Sequence, residues 1–593
     1  MSRIVFFAAL CSALSILTQT FANQTIEIEM QKLRLSGKVE KTFFKNEDYF
    51  TFIGIPYATP PTGKLRFKPP VPFTGWKGTY EAYNNKPTCL QYSSRMRIGE
   101  PFGISGEEDC LYLSVFTPNL QGSKPVVVFD YNDNFRTGFN GTDTYSPIFF
   151  MEEDVLVVTI NHRFGLMGYL STDDEVIIGN NGIRDFILGL QWIQENIKYF
   201  GGDPNRVTLM GNRGGAILAN ILMYSKQAKG LFHSIIMQSG TAMESIFFAQ
   251  NSKTVAFKLA ELVNITAEDS SSLLKEFQNI DVNKLLAKEA DAINNDAMEK
   301  YQLSSVPYSP VIETENHDPV ITSLPEINTI INDVPILIGF NSREGLDLAS
   351  HYIFEPRLVT DLGQDFFFQF PIRSGFRFDR KSSTFKEAIK EIKHFYFEDG
   401  DMHYNNILEY AVYIGDVLQD YAINYAARKL ATDLKSPVFY YMFDYAGFLN
   451  ENTLYISDHA RSSIENWGAT ITDEICYLHM CSRIINNYKH LNNLISEQPE
   501  IRVLKKMVRM WTNFAKTSNP TPSKEDKLLK GFIWQPVAKD SDSTNYLHIN
   551  KALRMKQNPL GEREQFWDQF LAKYSQMAVD GLVQSDTRVR EDL

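Results

Sequence analysis

The chain has 593 residues, of which 44% are hydrophobic and 22% are charged, and its formal net charge is −12. This composition is typical of a soluble globular protein that can bury a large core. The acidic balance argues against a basic surface that binds nucleic acid or anionic membranes, so neither partner is expected.

Residues 1–22 predict a secretory signal peptide, because a basic start precedes a short apolar run and small residues before a cut after Ala22. The sequence holds no other apolar run long enough to span a bilayer. We therefore expect a secreted, extracellular protein without a membrane span. Asn-x-Thr motifs then predict glycosylation at Asn23, Asn140 and Asn264.

Four cysteines follow the predicted signal peptide, and an even number in an oxidising compartment predicts disulfides. Cys89 and Cys110 would close a loop of ordinary length and are the predicted pair. Cys476 and Cys481 are five residues apart, an offset that places side chains on different faces of a regular helix. Their pairing is therefore left open.

Short apolar runs rich in Val, Ile and aromatic residues predict buried strands. These runs are 125–131, 155–162, 206–211, 233–240, 334–341 and 437–445. Helical patterns lie between them, the clearest at 185–200. The alternation predicts an α/β protein with a large, mostly parallel central sheet flanked by helices. Residues 250–330 and 355–435 are more helical and predict a cap over the carboxyl edge of the sheet, where ligand sites lie.

Long ordered motifs resemble the type-B carboxylesterase or cholinesterase-like family, which has the α/β-hydrolase fold. They include "GIPYATPPTGKLRFKPPVP" (54–72), "EEDCLYLSVFTP" (107–118), "NHRFGLMGYLST" (161–172), "GLFHSIIMQSG" (230–240) and "WTNFAKTSNPTP" (511–522). The resemblance implies a carboxylesterase-like domain over 23–575 and a polar C-terminal tail over 576–593. It also matches Cys89 and Cys110 to the family's N-terminal disulfide.

The family's catalytic triad is changed in this chain. Its nucleophile elbow, Gly-x-Ser-x-Gly, aligns with "GNRGG", so Arg213 stands at the serine position, and a guanidinium offers no lone pair for attack. Its histidine motif aligns with "GATITDEICYL", so Ile471 stands at the histidine position. Glu344 keeps the acidic position. His479 is predicted to be an ordinary packing or surface residue, not a replacement base.

The family's oxyanion glycines are changed as well. Asn132, Asp133 and Asn134 align with the three glycines of its His-Gly-Gly-Gly-Phe motif, and Gly214 follows the nucleophile position. Glycine allows unusual backbone angles and close approach of substrate there. The negative charge of Asp133 would oppose a developing oxyanion. Because triad members act as a unit, these changes together predict a pseudo-esterase with no functional catalytic residue. No metal or cofactor is expected.

A buried arginine needs a partner, and Glu344 and Asp133 are the two candidates. We expect Arg213 to pair with one of them and to plug the former pocket. The alternative is that its side chain bends into a hydrated gorge. The loop 90–109 lacks the tryptophan that cholinesterases use for choline, so a cation–π cage for quaternary ammonium is not expected.

Three functions are compatible with this pattern. The first is extracellular protein–protein interaction or adhesion, as in the non-catalytic relatives glutactin and the neuroligins, with an unknown cell-surface protein as partner. The second is a carrier that sequesters hydrophobic small molecules or esters. The third is residual ester hydrolysis. An apolar stripe in the C-terminal helix indicates either a homodimer interface or packing on the chain's own domain. Its members are Phe566, Trp567, Phe570 and Leu571.

Overall fold

The computed structural model describes residues 24–93, 103–138, 144–293, 306, 308–314, 318–359, 366–460, 467–494, 497–539, 541 and 543–584. The predicted signal peptide and the predicted glycosylation sites at Asn23 and Asn140 lie outside these residues.

The strands of the described residues alternate with helices along most of the chain. They are β1 Thr25–Met30, β2 Leu33–Lys41, β3 Asp48–Pro56, β4 Thr79–Glu81, β5 Gln91–Ser93, β6 Gly103–Ser105, β7 Tyr112–Thr117, β8 Lys124–Asp133, β9 Thr137–Gly138, β10 Tyr145–Ser146, β11 Leu156–Ile160, β12 Gly202–Arg213, β13 Ser234–Gln238, β14 Ile336–Asn341, β15 Val438–Phe443, β16 Met480–Cys481, β17 Asn545–Ile549, β18 Leu553–Gln557, β19 Ala578–Val579 and β20 Leu582–Val583.

The α-helices of the same residues are α1 Ile148–Met151, α2 Gly165–Tyr169, α3 Asn181–Asn196, α4 Gly214–Leu222, α5 Ser252–Leu262, α6 Ser270–Asn279, α7 Val282–Leu286, α8 Leu346–Phe354, α9 Ser383–Tyr396, α10 Ile407–Gly415, α11 Tyr421–Asp433, α12 Glu451–Ala460, α13 Ile485–Asn492, α14 Pro499–Thr517 and α15 Glu562–Gln576. Short 3₁₀ turns are Gly63–Leu65, Ile197–Phe200, Pro356–Leu358, Tyr404–Asn406, Asp473–Tyr477 and Ser482–Ile484, and Asp416–Asp420 is a π-helical turn.

A fourteen-stranded sheet organises the fold. Its order is β1-β2-β3-β7-β11-β8-β12-β13-β14-β15-β17-β18, with β4 beside β2 and β9 beside β8. The strands from β11 to β17 in this order run parallel, whereas the outer pairs are antiparallel. The six predicted strands are β8, β11, β12, β13, β14 and β15. The large, mostly parallel sheet of the prediction is therefore confirmed.

The side chains of β8 alternate between two buried layers, one on each face of the sheet. Val126 and Val128 pack into one core, and Val127 and Phe129 pack into the other. This alternation follows from the period-two geometry of a strand. Both faces are covered because β8 is central and parallel to its neighbours, so its sequence reads as a continuous apolar run.

The helical region between β13 and β15 lies over the carboxyl edge of the sheet. Its π-helical turn places Gln419 so that Nε2 donates a hydrogen bond to the carbonyl of Ser239, directly after β13 (3.1 Å). Helix α11 then packs on β14 and β15. This segment corresponds to the helical cap predicted from the sequence, and Gln419 ties it to the end of β13.

Two disulfides lie in the described residues. Cys89 and Cys110 form the predicted bridge. Cys476 and Cys481 also pair, although their spacing is unsuited to a regular helix. The physical reason is that no regular helix joins them: a 3₁₀ turn ends at Tyr477, and the chain enters the strand β16 at Met480.

The C-terminal part of the chain is attached to the domain. Helix α15 extends to Gln576, and β19 and β20 then form a hairpin that pairs with Arg377. Val583 is buried. The first residues of the predicted polar tail thus have ordered contacts.

Candidate functional site

The nucleophile position lies at a sharp turn between β12 and α4. Arg213 ends the strand and caps the helix with φ 53° and ψ −118°. Such an angle for a residue with a side chain costs on the order of 1–3 kcal/mol. A Cβ on Gly215 would lie 2.2 Å from the carbonyl oxygen of Asp130, so glycine lets α4 approach β8. The elbow geometry is therefore present around the arginine.

Arg213 forms a buried ion pair with Asp133. Its Nη1 lies 3.0 Å from Oδ1 of Asp133, and the residue is 4% exposed. The sheet register creates this pair, because Arg213 on β12 lies opposite Asn132 on β8, one residue before Asp133. Of the two predicted partners, Asp133 is the one that contacts the guanidinium. The guanidinium is therefore buried beside a carboxylate and does not extend into open solvent.

Asn132 fills the space beside the first residue of α4. Its Nδ2 donates to Asp130 Oδ2, and its Oδ1 accepts from the backbone N–H of Phe135, each at 2.9 Å. A Cβ on Gly214 would lie 1.7 Å from that Oδ1. In α/β-hydrolases the N–H of the residue after the nucleophile belongs to the oxyanion hole. The Asn132 carboxamide thus packs directly against the residue that carries this group.

Asn132 is held by Asp130, which also contacts a buried histidine. Asp130 Oδ1 lies 3.2 Å from Nε2 of His162, and both residues are buried. Our sequence reasoning did not select this pair. The available signal was Asp130 itself, the one carboxylate in the apolar run 125–131, which must find a partner when buried.

Glu344 lies in a second buried polar cluster. Its Oε1 accepts hydrogen bonds from the backbone N–H of Asn341 (2.7 Å) and from Ser239 Oγ (2.6 Å). Asn341 Nδ2 donates to Glu474 Oε2 (2.6 Å), and Asn212 Nδ2 donates to Glu474 Oε1 (2.8 Å). The cluster joins the ends of β12 and β14 to the loop after α12.

The pKa values of the two carboxyl groups of this cluster are raised above their ordinary range. Burial raises the pKa of Glu344, against its hydrogen bonds and the nearby charge of Arg213. Burial raises the pKa of Glu474 as well, and the charge of Glu344 adds to that rise. The positive charge of Arg213 therefore lowers the pKa of Glu344, although the two side chains form no ion pair.

Ile471 occupies the histidine position inside the protein, at 2% exposure. Its loop docks on the acidic cluster, since Thr470 Oγ1 donates to the carbonyl of Glu344 (3.4 Å). Asp473 fixes the loop by accepting from the N–H of Thr470 (2.8 Å) and of Asn452 (2.9 Å). The structure thus places Arg213, Glu344 and Ile471 at the same edge of the sheet.

His479 is a packing residue, as expected. Its ring stacks on Phe129 with 4.1 Å between centroids, and neither ring nitrogen has a hydrogen-bond partner among the described residues. Burial lowers its pKa to about 3. The imidazole is therefore neutral, and it belongs to the core on the other face of β8 from Val128.

One group in the described residues has the spacing of a metal site, namely Glu451, Cys476 and Cys481. The two sulfur atoms are joined in a disulfide, which leaves no thiolate to bind a metal.

The apolar stripe of α15 packs mainly on its own domain. Trp567 and Phe570 are fully buried, and Phe566 stacks on Phe395 of α9 with 4.1 Å between ring centroids. Leu571 is half-buried. The outward face is polar, with exposed residues Glu562, Gln565, Asp568, Gln569 and Lys573. A homodimer through this helix would therefore use polar contacts.

The third predicted glycosylation site is accessible. Asn264 is exposed in the turn that follows α5. Within the described part of the chain, no helix combines the length and the apolar character that crossing a membrane requires.

Comparison with known proteins places this geometry in context. The carboxylesterase family model matches residues 23–567. Esterase E4 of Myzus persicae is 28% identical over 88% of this chain and 90% of its own length. Neuroligin-2 of Mus musculus is 26% identical over 87% of this chain and 64% of its own length. The solved juvenile hormone esterase from Manduca sexta superposes with a TM-score of 0.72 and 24% identity, covering 93% of this chain and all of that one.

Proposed function

Because the chain belongs to the carboxylesterase family but carries Arg213 at the turn for the nucleophile, we propose that it is a catalytically inactive, secreted member that acts through extracellular protein contacts. The observation that carries this proposal is the buried Arg213–Asp133 ion pair. An acyl-transfer reaction needs a nucleophile at this point. Here the point holds a protonated guanidinium whose charge is neutralised by its neighbour.

The surroundings of the elbow support the same proposal. Ile471 cannot accept a proton, and Asp133 places a carboxylate where a developing oxyanion needs hydrogen-bond donors. Asn132 adds a carbonyl oxygen against Gly214. A carboxylate and an amide oxygen both repel an oxyanion, so each change opposes the same transition state.

Neuroligin-2 is among the relatives, which favours a role in contact with cell-surface proteins. Two disulfides and an exposed acceptor asparagine at Asn264 fit an extracellular location. The outward polar face of α15 is one surface available for such contacts, including a homodimer.

Esterases are also among the relatives, and they favour ester hydrolysis as the second candidate. A third candidate, a carrier for hydrophobic esters, would need an apolar pocket base. The ion pair of Arg213 and Asp133 opposes it, because it makes that base polar.

The proposal is tested with the full-length protein purified from the culture medium of secreting cells. We expect no turnover of p-nitrophenyl butyrate above buffer, with Esterase E4 as the active control. We expect saturable binding to at least one member of an array of cell-surface ectodomains. Turnover that scales with protein concentration would support the esterase candidate instead. Binding to apolar esters without turnover or ectodomain binding would support the carrier.

A further inference from the structure

A cavity of about 300 Å³ lies behind the loop of Ile471, separate from the Arg213 elbow. One wall is α12, and the opposite wall is the segment from Thr472 to Asn487. Glu451, Tyr455 and Asp458 on α12 line it together, because residues spaced by four and seven positions share one helix face. The volume is at the lower end of that of small-molecule sites.

Several polar groups of this cavity have no ion-pair or hydrogen-bond partner among the described residues. Asp458 forms no ion pair with any of them, and the hydroxyls of Tyr455 and Thr472 form no hydrogen bond with one. Asp458 is exposed, Tyr455 is half-buried and Thr472 is buried, and all three line the cavity. Their polar groups can therefore bind a ligand without first breaking a contact to a described residue.

The charges of the cavity favour a cation. Arg483 lies at the Glu451 end, where its Nη1 is 3.3 Å from Glu451 Oε1, so the positive charge of the lining already faces a carboxylate. Asp458 lies two helical turns away on the same face and forms no ion pair within the described part of the chain. The rings of Tyr145 and Tyr455 also line the cavity, and the face of an aromatic ring attracts a cation.

The apolar part of the lining defines the rest of the ligand. Leu454 and Ile484 lie among the polar groups, and both are half-buried. A ligand that fills the cavity therefore needs one cationic end and a small apolar body.

We propose that this cavity binds a small organic amine, whose ammonium contacts Asp458 and the tyrosine rings while Thr472 accepts a hydrogen bond from it. The apolar body of the amine lies along Leu454 and Ile484. The site is distinct from the elbow, and it stands whether or not the protein hydrolyses esters. Since Thr472 follows Ile471 directly, an occupied cavity would contact the loop at the former histidine position.

The test uses the full-length protein and three probes of matched shape in isothermal titration calorimetry. The probes are phenethylamine (cationic), 2-phenylethanol (neutral) and hydrocinnamate (anionic). We expect saturable 1:1 binding of the amine, weaker binding of the alcohol and none of the anion. Asp458→Asn should weaken amine binding about fivefold, because the lost contact is to a carboxylate near the surface. Thr472→Val, which keeps the side-chain shape, should weaken it about threefold.

Glu268→Gln, which removes an exposed carboxylate elsewhere, is the matched control and should bind the amine as the unchanged protein does. The proposal is overturned if the alcohol binds as tightly as the amine, or if no amine binds at millimolar concentration. It is also overturned if Asp458→Asn, an exposed substitution that should fold normally, leaves the affinity unchanged.

Discussion

The elbow and the acidic cluster lie side by side at one edge of the sheet, but they differ in how much of the family's chemistry they keep. The elbow has polar side chains where the family pattern has the serine and the first two oxyanion glycines: Arg213 forms an ion pair with Asp133, and Asn132 donates a hydrogen bond to Asp130. The cluster keeps Glu344, whose carboxyl group accepts from a backbone N–H and from Ser239.

This difference suggests a structural reason for the glutamate at position 344. The serine and histidine positions have no structural duty that another side chain cannot perform. Glu344 closes the turn after β14 and, through Asn341, shares hydrogen bonds with Glu474. Removing it would leave buried donors without acceptors, which costs about 1–3 kcal/mol for each unsatisfied group. These hydrogen bonds give Glu344 a structural role that does not depend on catalysis.

The largest expected effect comes from variants that return the family's catalytic residues to the elbow and leave the acidic cluster unchanged. Arg213→Ser with Ile471→His should give little esterase activity, because Asn132 and Asp133 still oppose the oxyanion. Adding Asn132→Gly, Asp133→Gly and Asn134→Gly should raise kcat by about 10²–10³-fold over the double variant. Hydrolysis of p-nitrophenyl butyrate measures it. Full activity in the double variant would show that the segment from Asn132 to Asn134 does not prevent ester hydrolysis.

The next effect tests the ion pair. Asp133→Ala should lower the free energy of unfolding by about 3 kcal/mol, because it leaves a buried guanidinium without its carboxylate. The same change on an Arg213→Met background should cost less than about 1 kcal/mol. Urea denaturation gives both values. Equal costs on the two backgrounds would mean that the pair contributes nothing.

A smaller effect concerns the contact between Asn132 and Gly214. Gly214→Ala should destabilise by about 1–3 kcal/mol, because the new methyl group would overlap the Asn132 carboxamide. On an Asn132→Gly background, Gly214→Ala should cost less than about 1 kcal/mol, because the overlapping carboxamide is absent. Thermal unfolding of the single and double variants is the measurement. An equal cost on both backgrounds would place the strain elsewhere.

Sequence reasoning located this site well at the level of the backbone. The six central strands and the elbow follow from apolar runs, and the loop of Ile471 follows from a motif of the family. It left open which carboxylate pairs with Arg213, because that choice depends on the register of β8 against β12, which no local pattern encodes. It also left the Cys476–Cys481 pairing open, since the offset assumed a regular helix where the chain forms a 3₁₀ turn. The cavity beside α12 is formed by distant segments and has no sequence signature.

The smallest effect for any single residue is a dependence of stability on pH, to which the acidic cluster contributes. Burial raises the pKa of Glu344 and Glu474, and it also raises the pKa of two buried carboxyl groups outside the cluster, Glu244 to about 8 and Glu289 to about 7. Groups with raised pKa values contribute stability at low pH that is lost as the pH rises through the folded value. The free energy of unfolding should therefore fall between pH 6.5 and 8.5, by at most about 1.4 kcal/mol per pH unit for each group.

His479 does not affect the profile in this window. Burial lowers its pKa, so the stability that depends on its neutral ring is lost only as the pH falls below about 6.5. Glu344→Gln keeps the acceptor oxygen and should flatten the pH profile. Glu268→Gln is the control and should leave it unchanged. Guanidinium denaturation at several pH values gives the profile. A stability that rises with pH, or an unchanged slope in Glu344→Gln, contradicts this reading of the cluster.

The central claim, that the elbow holds no nucleophile, is tested most directly by intact-mass spectrometry after incubation with a fluorophosphonate. We predict no mass increase for the folded protein under conditions in which Esterase E4 is fully labelled. Stoichiometric addition of one phosphonyl group, lost on prior denaturation, would show that another residue of this site attacks esters and would contradict the account.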